Sequence, residues 1–210
     1  MLHIVWCSTS KLLIAHRSAS FADPCATFLR ADDPVKVHYP QLPQVELYDG
    51  AAVARSDNHD PSMQHFASDT EVVLMLGDIN NDAELRKWTL GDAPPLASSA
   101  ELVARLYRQR KYHALSSLRG SFAFVLLDLT TSSALGARSA CGTHPLYQGA
   151  HDASGGLLLT TAAHLTTSDI KEVPKGTFVF GSRPGRLPHT IGVSHVGPVA
   201  ESSKQQATSQ

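Results

Sequence analysis

Two continuous apolar runs dominate the second half of the chain, Val72-Val73-Leu74-Met75-Leu76 and Phe122-Ala123-Phe124-Val125-Leu126-Leu127. Neither alternates with polar residues, so both predict strands covered on both faces. Between them, apolar positions recur at helical spacing. Asn81-Asp82-Ala83-Glu84 reads as a capping box opening a short helix with Leu85 and Trp88 as its apolar stripe, ended by Gly91 and Pro94-Pro95. Ser98-Ser99-Ala100-Glu101 is a second such box, and Leu102, Val103, Leu106 and Tyr107 predict a helix packing one face on a sheet. Further strands are predicted at His3 to Cys7, Ser133 to Arg138, Leu157 to Thr161 and Thr177 to Phe180. Asp49-Gly50 between Val45–Leu47 and Ala51–Ala54 predicts a small hairpin. Pro24, Pro34, Pro40 and Pro43 predict turns over residues 17–43, with at most a short helix near Cys25 to Leu29. Beyond about Ser182 the chain is mostly Gly, Pro, Ser, Gln and His, which predicts one domain over 1–181 and a disordered or partner-bound tail over 182–210.

Composition narrows the function classes. The 210 residues carry 18 Lys plus Arg against 19 Asp plus Glu, a formal charge of −1 that supplies no broad field for nucleic acid or anionic lipid. No apolar run approaches the roughly 18 to 20 residues of a membrane-spanning helix, and the opening Met-Leu-His-Ile-Val-Trp-Cys has no basic flank before an apolar core. The expectation is a soluble, unexported, cytoplasmic protein with no membrane insertion. Three widely spaced cysteines, Cys7, Cys25 and Cys141, suit neither a disulfide framework nor a zinc knuckle. The eleven histidines are scattered, without His-Glu-x-x-His or an i, i+4 pair, so no metal is expected. The absence of G-x-x-x-x-G-K-[ST], G-x-G-x-x-G and G-x-S-x-G patterns gives no support to nucleotide binding or serine hydrolysis, and no cofactor is expected. Arg105, Arg108, Arg110 and Lys111 form a basic patch, read as a solvated helix face with a protein contact as the alternative.

Three motifs in register carry a family resemblance. Leu118-Arg119-Gly120-Ser121-Phe122-Ala123-Phe124 with Asp128, then Ala137-Arg138-Ser139-Ala140-Cys141-Gly142-Thr143-His144-Pro145-Leu146-Tyr147, then Glu172-Val173-Pro174-Lys175-Gly176-Thr177-Phe178 resemble, in order and spacing, the glutaminase domain of class II glutamine amidotransferases. That domain is the N-terminal half of asparagine synthetase and one of the N-terminal-nucleophile hydrolases. Met1-Leu2 and Gly77-Asp78-Ile79-Asn80-Asn81 resemble, within it, a plant group of stand-alone aluminium-induced, stem-specific proteins. The resemblance implies an α+β fold, a four-layer αββα sandwich of two mainly antiparallel sheets with helices outside.

The same resemblance implies a pocket that this chain does not fill. The family's nucleophile is a cysteine whose own α-amino group accepts the thiol proton, and Leu2 stands at that place. The family's Asn-Gly oxyanion donors correspond to Leu76 and Gly77, so only the glycine amide remains. Its substrate-ammonium carboxylate corresponds to Ser99, and its substrate-carboxylate arginine to Arg55. The expectation is a non-catalytic, amidotransferase-like interaction or structural module with a protein partner or self-association. Only about 30 residues follow Phe180, leaving no expected ammonia-consuming domain. One alternative is an amidohydrolase processed to expose Cys7, in Cys7-Ser8-Thr9; another is a small-molecule sensor of amino acids or amides.

Overall fold

A computed structural model describes residues 2–8, 11–17, 44–48, 51–55, 62–90, 96–150, 157–161 and 170–192; in the first four stretches and at Leu90 only the backbone is described. The stretch expected to hold turns and a short helix, 18–43, lies outside the described residues.

One sheet is built from β5 (Met63–Ala67), β6 (Glu71–Ile79), β7 (Gly120–Asp128), β8 (Ser133–Arg138), β12 (Thr177–Gly181) and β13 (His189–Thr190), all neighbours antiparallel, in the spatial order 13-12-8-7-6-5. The other holds β1 (Leu2–Ser8), β2 (Lys11–Arg17), β3 (Gln44–Tyr48), β4 (Ala51–Arg55), β9 (Tyr147–Ala150), β10 (Leu157–Thr160) and β11 (Lys171–Glu172). It is mixed: β1 pairs antiparallel with β2 along its whole length but parallel with β4 and β10. The architecture is an α+β sandwich of two mainly antiparallel sheets. Its described helices, α1 (Asp82–Leu90) and α2 (Ser99–Arg110) with a 3-10 turn over Lys111–Ser117, follow β6, and α2 packs on β5 and β6.

The two unalternating runs have a direct physical cause. In β7, Phe122, Phe124 and Leu126 point into a core shared with α1 and α2, whereas Ala123, Val125 and Leu127 point into a second core between the sheets. In β6, Val73 and Met75 join the first core and Val72, Leu74 and Leu76 the second. Both strands are buried on both faces because one face meets helices and the other meets Leu146, Leu157 and Leu159.

Several expectations change in detail. Leu85 is buried but Trp88 is 42% exposed, so the stripe of α1 is narrower than its spacing suggested. Asn81 does not cap α1: its amide donates to the Ser117 carbonyl (2.9 Å) and its Oδ1 accepts from the Arg119 backbone N–H (2.9 Å), tying the helix start to the approach into β7. Ser98 does cap α2, accepting from the Glu101 N–H at 3.2 Å, while Glu101 reaches back to the Ala97 N–H at 2.9 Å. The basic patch is largely paired, Arg105 with Glu101, Arg108 with Glu71 and Lys111 with Asp128. Within the stretch read as a tail, His189–Thr190 forms β13 against β12, and the Ile191 N–H donates to the Gly176 carbonyl at 2.9 Å. Residues 193–210 lie outside the described residues. No described helix is long and apolar enough to cross a membrane.

Candidate functional site

The residues that carry the family motifs lie at the two ends of β6, β7 and β8, Asp128 opposite Glu71 and Ser133 at one end and Arg138 opposite Ala123 toward the other. Asp128 closes β7 and is 2% exposed. Its Oδ2 accepts from the Tyr107 hydroxyl and the Lys111 ammonium, both at 3.1 Å. Its Oδ1 accepts from the Thr130 hydroxyl (2.6 Å) and the Thr130 and Thr131 amides. Burial alone would raise its pKa; these donors outweigh burial and hold the carboxyl well below the usual carboxylate range. Burial, helped by the same carboxylate, pushes the Tyr107 hydroxyl well above its ordinary value. Arg138, 4% exposed at the end of β8, donates to Glu172, to the Val173 carbonyl (3.0 Å) and to the Gly142 carbonyl (2.9 Å). One guanidinium thus joins the second motif to the third. Both motif residues act as braces.

Gly77 has φ +83, and a Cβ there would sit 2.0 Å from the Ser121 carbonyl oxygen and 2.6 Å from His144 Nε2. Only glycine fits this conformation and this space. Its N–H donates to the Ser62 carbonyl at 2.9 Å, continuing the β5–β6 ladder, and its carbonyl accepts from Gln64 Nε2 at 3.2 Å. The amide expected to serve as an oxyanion donor is therefore already hydrogen-bonded. Leu76, 3% exposed, belongs to the inter-sheet core.

Ser99 is the first residue of α2 and 9% exposed. Its hydroxyl donates to Asp82 Oδ2 at 3.0 Å and its N–H to Gln64 Oε1 at 2.8 Å. Asp82 is also paired with Arg86; that guanidinium, opposed by burial and helped by Ser99, lowers its pKa. Ser99 thus links α1, α2 and β5.

Leu2 and Arg55 are described by backbone alone. Leu2 pairs in parallel with Leu157, which shares the inter-sheet core with Leu76. The parallel register Ile4↔Val53 and Val5↔Ala54 sets Arg55 alongside Trp6, four positions along β1 from Leu2, or roughly 13 Å at strand rise. The structure brings Leu76, Gly77 and Leu2's partner Leu157 into one region and places Ser99 at the neighbouring helix start; it does not set Arg55 beside Leu2. Cys7 lies inside β1, opposite Leu12 of β2, so a cut after Trp6 would remove five of the seven β1–β2 pairs.

Cys141 is a feature that sequence reasoning passed over. This exposed thiol lies on the loop after β8, with the Ser139 hydroxyl at 3.0 Å and the Thr143 hydroxyl at 3.6 Å. Burial opposes ionisation, but hydrogen bonds from Ser121, Ser139 and both the backbone and hydroxyl of Thr143 outweigh it, and the pKa falls to about 6. Serines and a threonine near a cysteine leave no spacing signal in a sequence, because the fold supplies Ser121 from another strand. Among the described residues, no group of three or more His, Cys, Asp or Glu side chains is placed to hold a metal ion.

Comparison with known proteins places this geometry. A family model described as a glutamine amidotransferase domain matches residues 50–166, more than half the chain. An asparagine synthetase [glutamine-hydrolyzing] of Sandersonia aurantiaca is 40% identical over 80 residues, covering 38% of this chain and 15% of the relative. The asparagine synthetase [glutamine-hydrolyzing] 2 of Oryza sativa subsp. japonica is 40% identical over 78 residues, covering 37% and 13%. These matches thus span about a seventh of the relatives' length. Among solved structures, the glutamine phosphoribosylpyrophosphate amidotransferase of B. subtilis aligns with a TM-score of 0.49 and 16% identity, over 67% of this chain and 35% of that one. The chain belongs to the glutamine amidotransferase domain family.

Proposed function

We propose that this glutamine amidotransferase domain is non-catalytic and serves as an interaction or structural module, of the kind its resemblance to the stand-alone plant group implies. One observation carries the reading: Ser99, where the family places the carboxylate for the substrate's ammonium group, is buried and commits its hydroxyl to Asp82 and its N–H to Gln64. A neutral serine offers a substrate ammonium no charge, and its hydroxyl is held against Asp82. Leu76 and Gly77 support the same reading, since a core leucine donates no hydrogen bond and the glycine amide is engaged by Ser62. A leucine at the nucleophile position has no atom to attack a carboxamide.

Restoring the nucleophile tests this. Ammonia release from glutamine is expected to stay at background for the native chain and for a Leu2→Cys variant with its α-amine freed, because the ammonium and oxyanion sites are also gone; each such loss costs roughly 10²-fold or more. Turnover regained by Leu2→Cys alone would show a working pocket and overturn the reading. Light scattering of the purified chain, and affinity capture with quantitative mass spectrometry, are expected to show self-association or a stoichiometric partner.

A further inference from the structure

A cleft of about 490 Å³ opens at the edge of the sandwich, bordered by Glu172 and Pro174 of the third motif, where the segment 182–188 passes over β9 and β11. The register Lys171↔Gln148 sets these two residues on one face of the sheet, the face that Leu159 of β10 turns to the inter-sheet core. Gln148 is 6% exposed. Its Nε2 donates to the Arg186 carbonyl at 2.9 Å, which fixes the amide's orientation and leaves Oε1 as a buried acceptor with no donor among the described residues. An orphaned buried carbonyl costs roughly 1–3 kcal/mol, so a group that persists in this state is a candidate for an external donor.

The rest of the cleft says what that donor belongs to. Lys171 and Arg186 border it, both exposed, and neither forms an ion pair among the described residues. The carboxylate of Glu172, also on the rim, is committed to Arg138. The walls are apolar: Pro174, Pro184 and Leu187, the last 80% exposed. The volume lies within the roughly 300–1,000 Å³ of ordinary ligand sites.

We propose that this cleft binds the C-terminal end of a peptide with an aliphatic last residue: its final amide N–H donates to Gln148 Oε1, its carboxylate faces Lys171 and Arg186, and its side chain lies against the prolines and Leu187. The last residue of such a peptide supplies a neutral donor, an anion and an apolar branch within one residue's reach. The inference is independent of whether the domain hydrolyses glutamine.

The test is a titration of the full chain with a pentapeptide ending in Ala-Leu, followed by amide chemical shifts at low salt. The free acid is expected to bind at least tenfold more tightly than its C-terminal amide, with shifts centred on residues 148, 171 and 184–188. Lys171→Gln with Arg186→Gln, both at exposed positions that leave the fold intact, is expected to abolish the preference for the acid. Gln148→Met is expected to weaken both forms. Equal binding of acid and amide, shifts elsewhere on the molecule, or an acid preference that survives the double substitution would overturn the proposal. N-acetyl-leucine binding as tightly as the pentapeptide would overturn the peptide assignment.

Discussion

The body of β6 and the end of β6 follow different rules. From Val72 to Leu76 every residue is buried on one of two apolar faces, and the strand serves packing alone. At Gly77 the chain turns to φ +83 under the Ser121 carbonyl, and the backbone conformation takes over from packing as the constraint. Gly77 here, with Asp128 at the end of β7 and Arg138 at the end of β8, are residues of the family pattern that the fold itself needs: a backbone conformation, a buried carboxylate brace and a guanidinium joining two loops. In the proposed reading, the residues that differ, Leu2, Leu76 and Ser99, stand where the family's choice serves chemistry alone. Survival of a motif glycine is therefore no sign of surviving catalysis, because sterics alone would preserve it.

The comparison can be broken first beside the body, at Phe124 of β7, which pairs with Met75. Phe124 is fully buried against α2 in the core, and Phe124→Ala is expected to destabilise by about 3–5 kcal/mol in denaturant unfolding. At the end of the strand, Gly77→Ala combines a strained positive φ with a backbone clash at Ser121, and a loss of about 3 kcal/mol is expected without any active site being involved. A loss below about 1 kcal/mol would remove the steric explanation for the glycine.

Asp128 gives a smaller effect with a defined pH dependence. Its folded pKa lies below the unfolded value near 3.9, so its contribution is fully present above that value and is lost as pH falls through the folded pKa. Asp128→Asn is expected to cost about 2 kcal/mol at pH 7 and to flatten the fall in stability below pH 4, read by thermal unfolding across pH 2–7. An unchanged acid limb would contradict the brace. The smallest effect is chemical. Alkylation of Cys141, followed by peptide mass spectrometry, is expected to show a rate midpoint near pH 6, shifting upward in Ser139→Ala. A midpoint near 8.5 would mean that the hydroxyls do not stabilise the thiolate.

How much of this was legible beforehand follows from the range of the interactions. The unalternating runs gave β6 and β7 because both-sided burial leaves a direct trace in composition. The α2 start was legible because its cap is local: Ser98 and Glu101 lie three residues apart. Asn81 had the same local pattern, but its partners, Ser117 and Arg119, lie 36 and 38 residues away, and no spacing rule sees that far. β5 was hidden in an Asp/His-rich stretch because an edge strand, half-buried at most, carries little apolar signal. The candidate pocket rests on the family resemblance, position by position at Leu2, Leu76, Gly77 and Ser99. What the sequence could not supply was the partners of Ser99 and the Gly77 amide, which are Gln64 of β5 and Asp82 of α1 for the one and Ser62, just before β5, for the other.

The central claim is that no glutamine pocket remains. Titration calorimetry of the native chain with glutamine at millimolar concentrations tests it most directly. The account predicts no saturable heat and no displacement of the Ser99 or Gly77 amide resonances measured in parallel. A saturable isotherm with both resonances shifted would contradict it.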